Sequence, residues 1–227
     1  MSFFKTLAEK PWLHAPAIAG GGADESVLDP QGPARVALRF ILAIVGILFF
    51  LFIITFLSRS QYPDFRALAG SPWQPFTDTS RLWFNTAVLA CASIAMQLGL
   101  VSARRGHLNA AVASVSAAVF FTLGFLFAQD MLWQYLQGLG FYLDTNPAES
   151  YFYVLTAIHG LHLIGGLVVL AYVVFRVWYD GVPASLSGPL QLCTTYWHFL
   201  LGVWLVLFAL LTSRPETINA LAALCGF

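Results

Sequence analysis

The sequence predicts an all-α integral membrane protein, a five-transmembrane-helix bundle, and three observations carry that expectation. The first is composition: of 227 residues, 59% are hydrophobic and only 10% charged, against about 25% charged in ordinary soluble domains. Mean hydropathy is +0.74. The second is a set of five apolar runs, at about 36–58, 82–103, 108–136, 151–177 and 190–212, each long enough for a hydrocarbon core that needs roughly 20 helical residues. The third is the shortness of two connections, Arg104 to His107 and Trp178 to Pro189. Links that short make the helices on either side antiparallel neighbours.

Around the runs, the chain divides into a polar leader (1–35), a five-helix membrane domain (36–213) and a short C-terminal tail (214–227). The leader is rich in turn residues, with Pro11, Pro16, Pro30, Pro33 and Gly20-Gly21-Gly22. It lacks the continuous apolar core of a signal peptide, and Trp12 is placed to rest at the interface. The longest link, Arg59 to Arg81, holds Tyr62 and Trp73 among three prolines, which suits an interfacial cap. Orientation follows from basic residues. With the N-terminus cytoplasmic, that side holds Lys5, Lys10, Arg35, Arg39, Arg104, Arg105 and Arg176, and the other Arg59, Arg66, Arg81 and Arg214. Seven against four places the N-terminus inside and the C-terminus in the periplasm. Net charge is zero, so nothing calls for a nucleic-acid partner. Cys91, Cys193 and Cys225 are scattered without metal or dithiol spacing.

The polar residues inside the runs are few. The fourth run carries His159 and His162, three apart on one helical face, about 13 to 18 Å along its helix. Ionisable groups at such depth face protein rather than lipid. Gly160, Gly165 and Gly166 thin the same helix, as happens where backbones approach closely. In the third run Asp130 stands roughly 9 Å from the outer end, with Gln134 one turn on. His159 descends from the same surface on the next helix, so Asp130 and His159 are expected at similar depth and within pairing reach. A hydrogen-bonded contact fixing helix register is the preferred reading; a proton relay would need more polar stations. On that pairing, Asp130→Asn disturbs helix packing more than proton transfer. Haem or metal ligation is disfavoured, because His159 and His162 share one helix while His198, on the fifth, sits at another level. The fifth run opens with Thr195-Tyr196-Trp197-His198-Phe199, which on composition alone reads as an interfacial aromatic anchor.

Two segments nevertheless carry a resemblance. FYVLTAIHGLHLIGG (152–166) is similar to FFxxTGxHGLHVxxG, and YWHFLLGVWLVLF (196–208) to YWHFVDVVWLFLF. Both patterns belong to subunit III of the haem–copper respiratory oxidases, in this order and on the last two helices. Asn85-Thr86, Leu123-Gly124 and Gln134-Tyr135 add support. There are departures. Gln134 stands where the family carries a buried Glu, with Asp130 one turn earlier. Val45-Gly46 stands for a Ser-Glu pair and Leu201 for an Asp. Five helices resemble the shorter bacterial form.

The resemblance implies a subunit without catalytic residues or a cofactor of its own, with haem and copper in partner subunits. It implies a place beside the catalytic subunit I, with subunit II in the same complex, and structural phospholipids. Asp130, Gln134, His159, His162, Trp197 and His198 then become structural or lipid-facing polar residues of an inner-membrane protein. Subunit III of a quinol oxidase and the related accessory of a nitric oxide reductase share the pattern. A free-standing transporter would show a polar pathway, broken helices or repeats, none of which stands out. A membrane cytochrome would show a Soret band.

Overall fold

The structure is a computed structural model that describes residues 32–65, 67–68, 80–143, 146–180 and 187–226, with 176–180 as backbone only. The expected leader with Trp12, the interfacial Trp73 and Arg66, and the Arg176 side chain lie outside the described residues. Among those described there are six helices and no strand: α1 (Gly32–Arg59), α2 (Ser80–Arg104), α3 (Leu108–Gly138), α4 (Pro147–Asp180), α5 (Ser187–Leu211) and α6 (Pro215–Leu224). The first five are long and apolar enough to cross a membrane. They coincide with the five apolar runs and extend beyond most of their ends. Residues 215–224, expected as a tail, form α6, which begins with proline at its first turn. Its Ile218 and Ala222 are buried, and it packs against α1.

Helix ends follow local chemistry. Gly106 (φ +76°) and Gly140 (φ +90°) adopt left-handed backbone immediately after α2 and α3. At each, the next N–H reaches back to the helix: His107 donates to the Ser102 carbonyl, and Phe141 to the Leu136 carbonyl, both at 3.0 Å. These closures satisfy carbonyls that would otherwise be orphaned. The first of them turns the chain within Arg105–His107, so α2 and α3 run antiparallel in the most extensive helix pair among the described residues. Asn146 caps α4, its Oδ1 accepting the Ala148 N–H at 3.3 Å.

α5 is the hub. It packs against α1, α2 and α4 and buries Trp197, Leu200, Trp204 and Leu207, each at 1% exposure or less. The outer faces of the other helices carry Phe40, Phe50, Phe84, Phe120, Phe127 and Phe175, all exposed. Such faces suit lipid or another subunit, since apolar side chains gain nothing by hiding from hydrocarbon.

At the end of α1, Arg59 Nη1 donates to Asp64 Oδ1 at 2.7 Å, and Nη2 donates to Oδ2. The guanidinium also sits 4.9 Å from the Tyr62 ring centre. That hydrogen-bonded pair holds the Asp64 carboxyl below its usual value of 3.8. A depressed acid stabilises the fold above the unfolded value and loses that contribution as pH falls through the folded one. A small melting difference between wild type and Asp64→Asn is therefore expected at pH 6, vanishing below pH 3.8. Thermal denaturation in detergent across that range checks it.

Candidate functional site

Three indole–threonine bridges tie the bundle together. Trp197 Nε1 donates to Thr122 Oγ1 at 3.1 Å, joining α5 to α3. Trp204 Nε1 donates to Thr86 Oγ1 at 3.0 Å, joining α5 to α2. Trp133 Nε1 donates to Thr156 Oγ1 at 3.2 Å, joining α3 to α4. In each case the threonine spends its own proton on a carbonyl one turn back: Thr122 on Ala118, Thr86 on Leu82 and Thr156 on Phe152, at 2.7 to 2.8 Å. The hydroxyl is then left with lone pairs, which is what an indole, a donor only, requires. A fourth polar tie links α2 and α3, where Asn85 Nδ2 donates to Gln129 Oε1 at 3.1 Å.

These bonds correct one expectation. Trp197 is no interfacial anchor; it is 1% exposed and lies in the core. The reason is azimuth. Trp197, Leu200, Trp204 and Leu207 recur at the spacing of a single helical face, and that face looks inward. Replacing Thr86 or Thr122 with valine keeps the shape and leaves one buried indole N–H unpaired. Each change is expected to cost about 1 kcal/mol, and because the two indoles stand seven residues, about 10 Å, apart along α5 the two costs are expected to add. Unfolding free energies in bicelles would check both the size and the sum.

His159 occupies the centre, fully buried. Its ring lies 5.3 Å from the Trp204 centroid, 5.9 Å from Phe125 and 6.3 Å from Phe49. Neither ring nitrogen has a hydrogen-bond partner among the described residues. His162 shares the Phe49 contact at 5.6 Å, and its Nδ1 lies 2.8 Å from the Ile158 carbonyl. Tyr196 on α5 donates its hydroxyl to the His162 carbonyl at 3.1 Å. Gly166 on α4 faces the Tyr196 ring so closely that a Cβ there would lie 2.9 Å from it. Of the three glycines read as close-approach positions, Gly166 meets α5 and Gly160 meets Leu126 of α3 at 3.5 Å, while Gly165 meets nothing within 4 Å.

The Asp130–His159 pair does not form. Asp130 is exposed and accepts a hydrogen bond from its own helix, from Gln134 Nε2 at 2.7 Å. Depth allows the pair, but direction forbids it. The inward positions of α3 are Phe125, Gln129, Leu132 and Leu136, and Asp130 lies one residue, about 100° of helix, off that line. With no contact to the interior, Asp130→Asn is now expected to change bundle stability by no more than about 0.5 kcal/mol, measured in the same unfolding assay. His198 is exposed between α2 and α5, and no group of three or more His, Cys, Asp or Glu side chains converges among the described residues.

The two segments that carry the sequence resemblance are therefore in contact, His159–Gly166 on α4 with Tyr196–Trp204 on α5. A profile of the family described as cytochrome c oxidase subunit III matches residues 32–213. A probable cytochrome c oxidase subunit 3 of Mycobacterium leprae is 29% identical over 158 residues, covering 67% of this chain and 76% of the relative. A cytochrome c oxidase subunit 3 of Thermostichus vulcanus is 27% identical over 176 residues, covering 74% and 85%. A cytochrome bo(3) ubiquinol oxidase subunit 3 of Pseudomonas aeruginosa is 27% identical over 124 residues, covering 55% and 59%. With five apolar helices and a match running from the start of α1 to the end of α5, this multi-pass membrane chain belongs to the cytochrome c oxidase subunit III family.

Proposed function

We propose that the chain is the non-catalytic subunit III of a bacterial haem–copper terminal oxidase of the cytochrome c type, in the inner membrane. It stands beside the catalytic subunit I, with subunit II in the same complex, and oxygen reduction uses the haem and copper of those partners. Its own contribution is a rigid, lipid-bearing flank that supports assembly and sustained proton-coupled turnover. The supporting observation is the clasp of α4 on α5. The two family segments pack on each other through His159–Trp204, Tyr196 to the His162 carbonyl, and Gly166 against Tyr196. On this reading His159, His162 and Trp197 hold the bundle, while Asp130, Gln134 and His198 face its surroundings. A groove of about 420 Å³ between α1, α4 and α5, lined by Leu38, Ile41, Val169, Leu192 and Trp197, suits a phospholipid acyl chain. The basic-residue count supports a cytoplasmic N-terminus and a periplasmic C-terminus.

The test is to tag the chain, solubilise the membrane gently, and record the absorption spectrum and protein composition of what co-purifies. Haem bands with large metal-bearing partners are expected. A colourless, stable, monodisperse preparation of the chain alone would overturn the reading. A quinol oxidase is the second reading, favoured by the Pseudomonas relative; the electron donor oxidised by the purified complex decides between them.

A further inference from the structure

α6 follows the stretch that matches the family profile, residues 32–213, and two neighbours fix its depth. α5 ends at Leu211, so Pro215, the first residue of α6, stands within about 14 Å of that end. As first and fifth spans of an alternating bundle, α1 and α5 end on the same side of the membrane. α6 packs against α1. Its Ile218 and Ala222 share a core cluster with Phe56 and Leu57 in the last turn of α1 and with Leu210 and Leu211 in the last turn of α5. Just past α1, Gln61 Nε2 lies 3.5 Å from Asn219 Oδ1. The helix is thereby held at the level where two spans leave the hydrocarbon.

At that level its side chains sort by direction. Ile218 and Ala222 point into the bundle. Glu216, Asn219 and Ala223 line one flank and Thr217, Leu221 and Leu224 the other, each series at helical spacing. Both flanks are exposed, with Leu221 at 38% and Leu224 at 84%. A helix held at the membrane boundary, with leucines on one flank and a carboxylate on the other, lies in the plane of the interface with its apolar flank sunk. α6 itself carries no Lys or Arg, so its hold on lipid is apolar rather than electrostatic.

We infer that α6 lies in the headgroup boundary of the bilayer, Leu221 and Leu224 among the first acyl carbons and Glu216 and Asn219 in water, and that this seat braces the end of α1 against the bundle. The occupant of the leucine flank is the lipid surface itself, whatever its headgroup charge. A brace there has consequence, because α1 buries only four of its 28 residues and is otherwise held through α4 and α5. The inference stands apart from the oxidase reading, since it draws only on the spans and on the faces of α6.

The experiment uses the full chain, with whatever subunits it brings, in phosphatidylcholine nanodiscs. The exposed thiols are removed by Cys91→Ala and Cys225→Ser, and a spin label is attached through Leu224→Cys or, separately, Ala223→Cys. Collisions with oxygen, which concentrates in lipid, and with a water-soluble nickel chelate are read at each. Oxygen is expected to dominate at 224 and nickel at 223, with no change when phosphatidylglycerol is added. Nickel reaching 224 places that flank in water, and shielding of 224 from both reagents places protein over it; either result overturns the inference. The brace is read by amide hydrogen exchange over residues 55–62. Leu221→Asn with Leu224→Asn is expected to raise exchange there about tenfold. Ala220→Asn with Ala223→Asn, which loses at least as much helix propensity, is expected to leave it unchanged. All four positions are exposed, so the spans stay folded, which melting profiles verify. Equal exchange in the two double variants overturns the brace even where the label sits in lipid.

Discussion

Replacing His159 with alanine is expected to destabilise the bundle on the order of 3 kcal/mol. The ring fills the centre of a cage formed by Phe49, Phe125 and Trp204, contributed by α1, α3 and α5. Truncation leaves a void that three helices have to close around, and in lipid the lost van der Waals contacts are not replaced by a hydrophobic gain. His159→Phe separates packing from polarity. Because neither imidazole nitrogen has a hydrogen-bond partner among the described residues, an apolar ring of similar size is expected to match or exceed wild-type stability, relieving part of the roughly 1–3 kcal/mol cost of an unpaired buried group. Unfolding free energies of the two variants, read with the bridging-threonine variants in one assay, check this. If phenylalanine proves as damaging as alanine, the packing account is wrong.

The second large effect is expected at Gly166. A Cβ built there would stand 2.9 Å from Tyr196 Cε1, 3.2 Å from Tyr196 Cδ1 and 3.3 Å from Trp197 Cη2. Neither ring is free to retreat, since Tyr196 is held by the His162 carbonyl and Trp197 by Thr122. Gly166→Ala is expected to cost about 1–3 kcal/mol. Gly166→Leu is expected to separate α4 from α5 and abolish recovery of folded chain. The adjacent Gly165 supplies the contrast: nothing lies within 4 Å of its Cβ direction, so Gly165→Ala is expected to stay within about 0.5 kcal/mol of wild type. Opposite outcomes at neighbouring glycines would be hard to obtain from helix propensity alone. Yield of monodisperse protein after mild solubilisation, followed by thermal unfolding, measures both.

These two positions also show what could be read in advance. Span number, approximate ends and antiparallel pairing follow from apolar run length and turn length, and the structure keeps them. Depth along a helix is likewise legible, because rise per residue is fixed. Rotation about the axis is harder. Asp130 and His159 were brought to one level by arithmetic, yet Gln129 rather than Asp130 points inward, bonded to Asn85. A closer reading of period would have found it: Phe125, Gln129, Leu132 and Leu136 recur at helical spacing, and Asp130 breaks the series. Trp197 was misplaced for the same reason, with its seven-residue spacing to Trp204 the signal. The indole–threonine pairings were out of reach, because they join residues 23 to 118 positions apart. Nothing local distinguishes a threonine that will receive an indole from one that will not.

Those pairings bear on how the chain enters the membrane. During synthesis α2 and α3 emerge before α5, so Thr86 and Thr122 sit in lipid for a time without Trp204 and Trp197 beside them. Each hydroxyl already donates to a carbonyl of its own helix, so waiting exposes no unpaired proton. The indoles, arriving last on α5, prefer the headgroup boundary until they are drawn in. The half-built bundle is thus a tolerable resident of the bilayer, and the final helix locks it by supplying donors to acceptors prepared in advance.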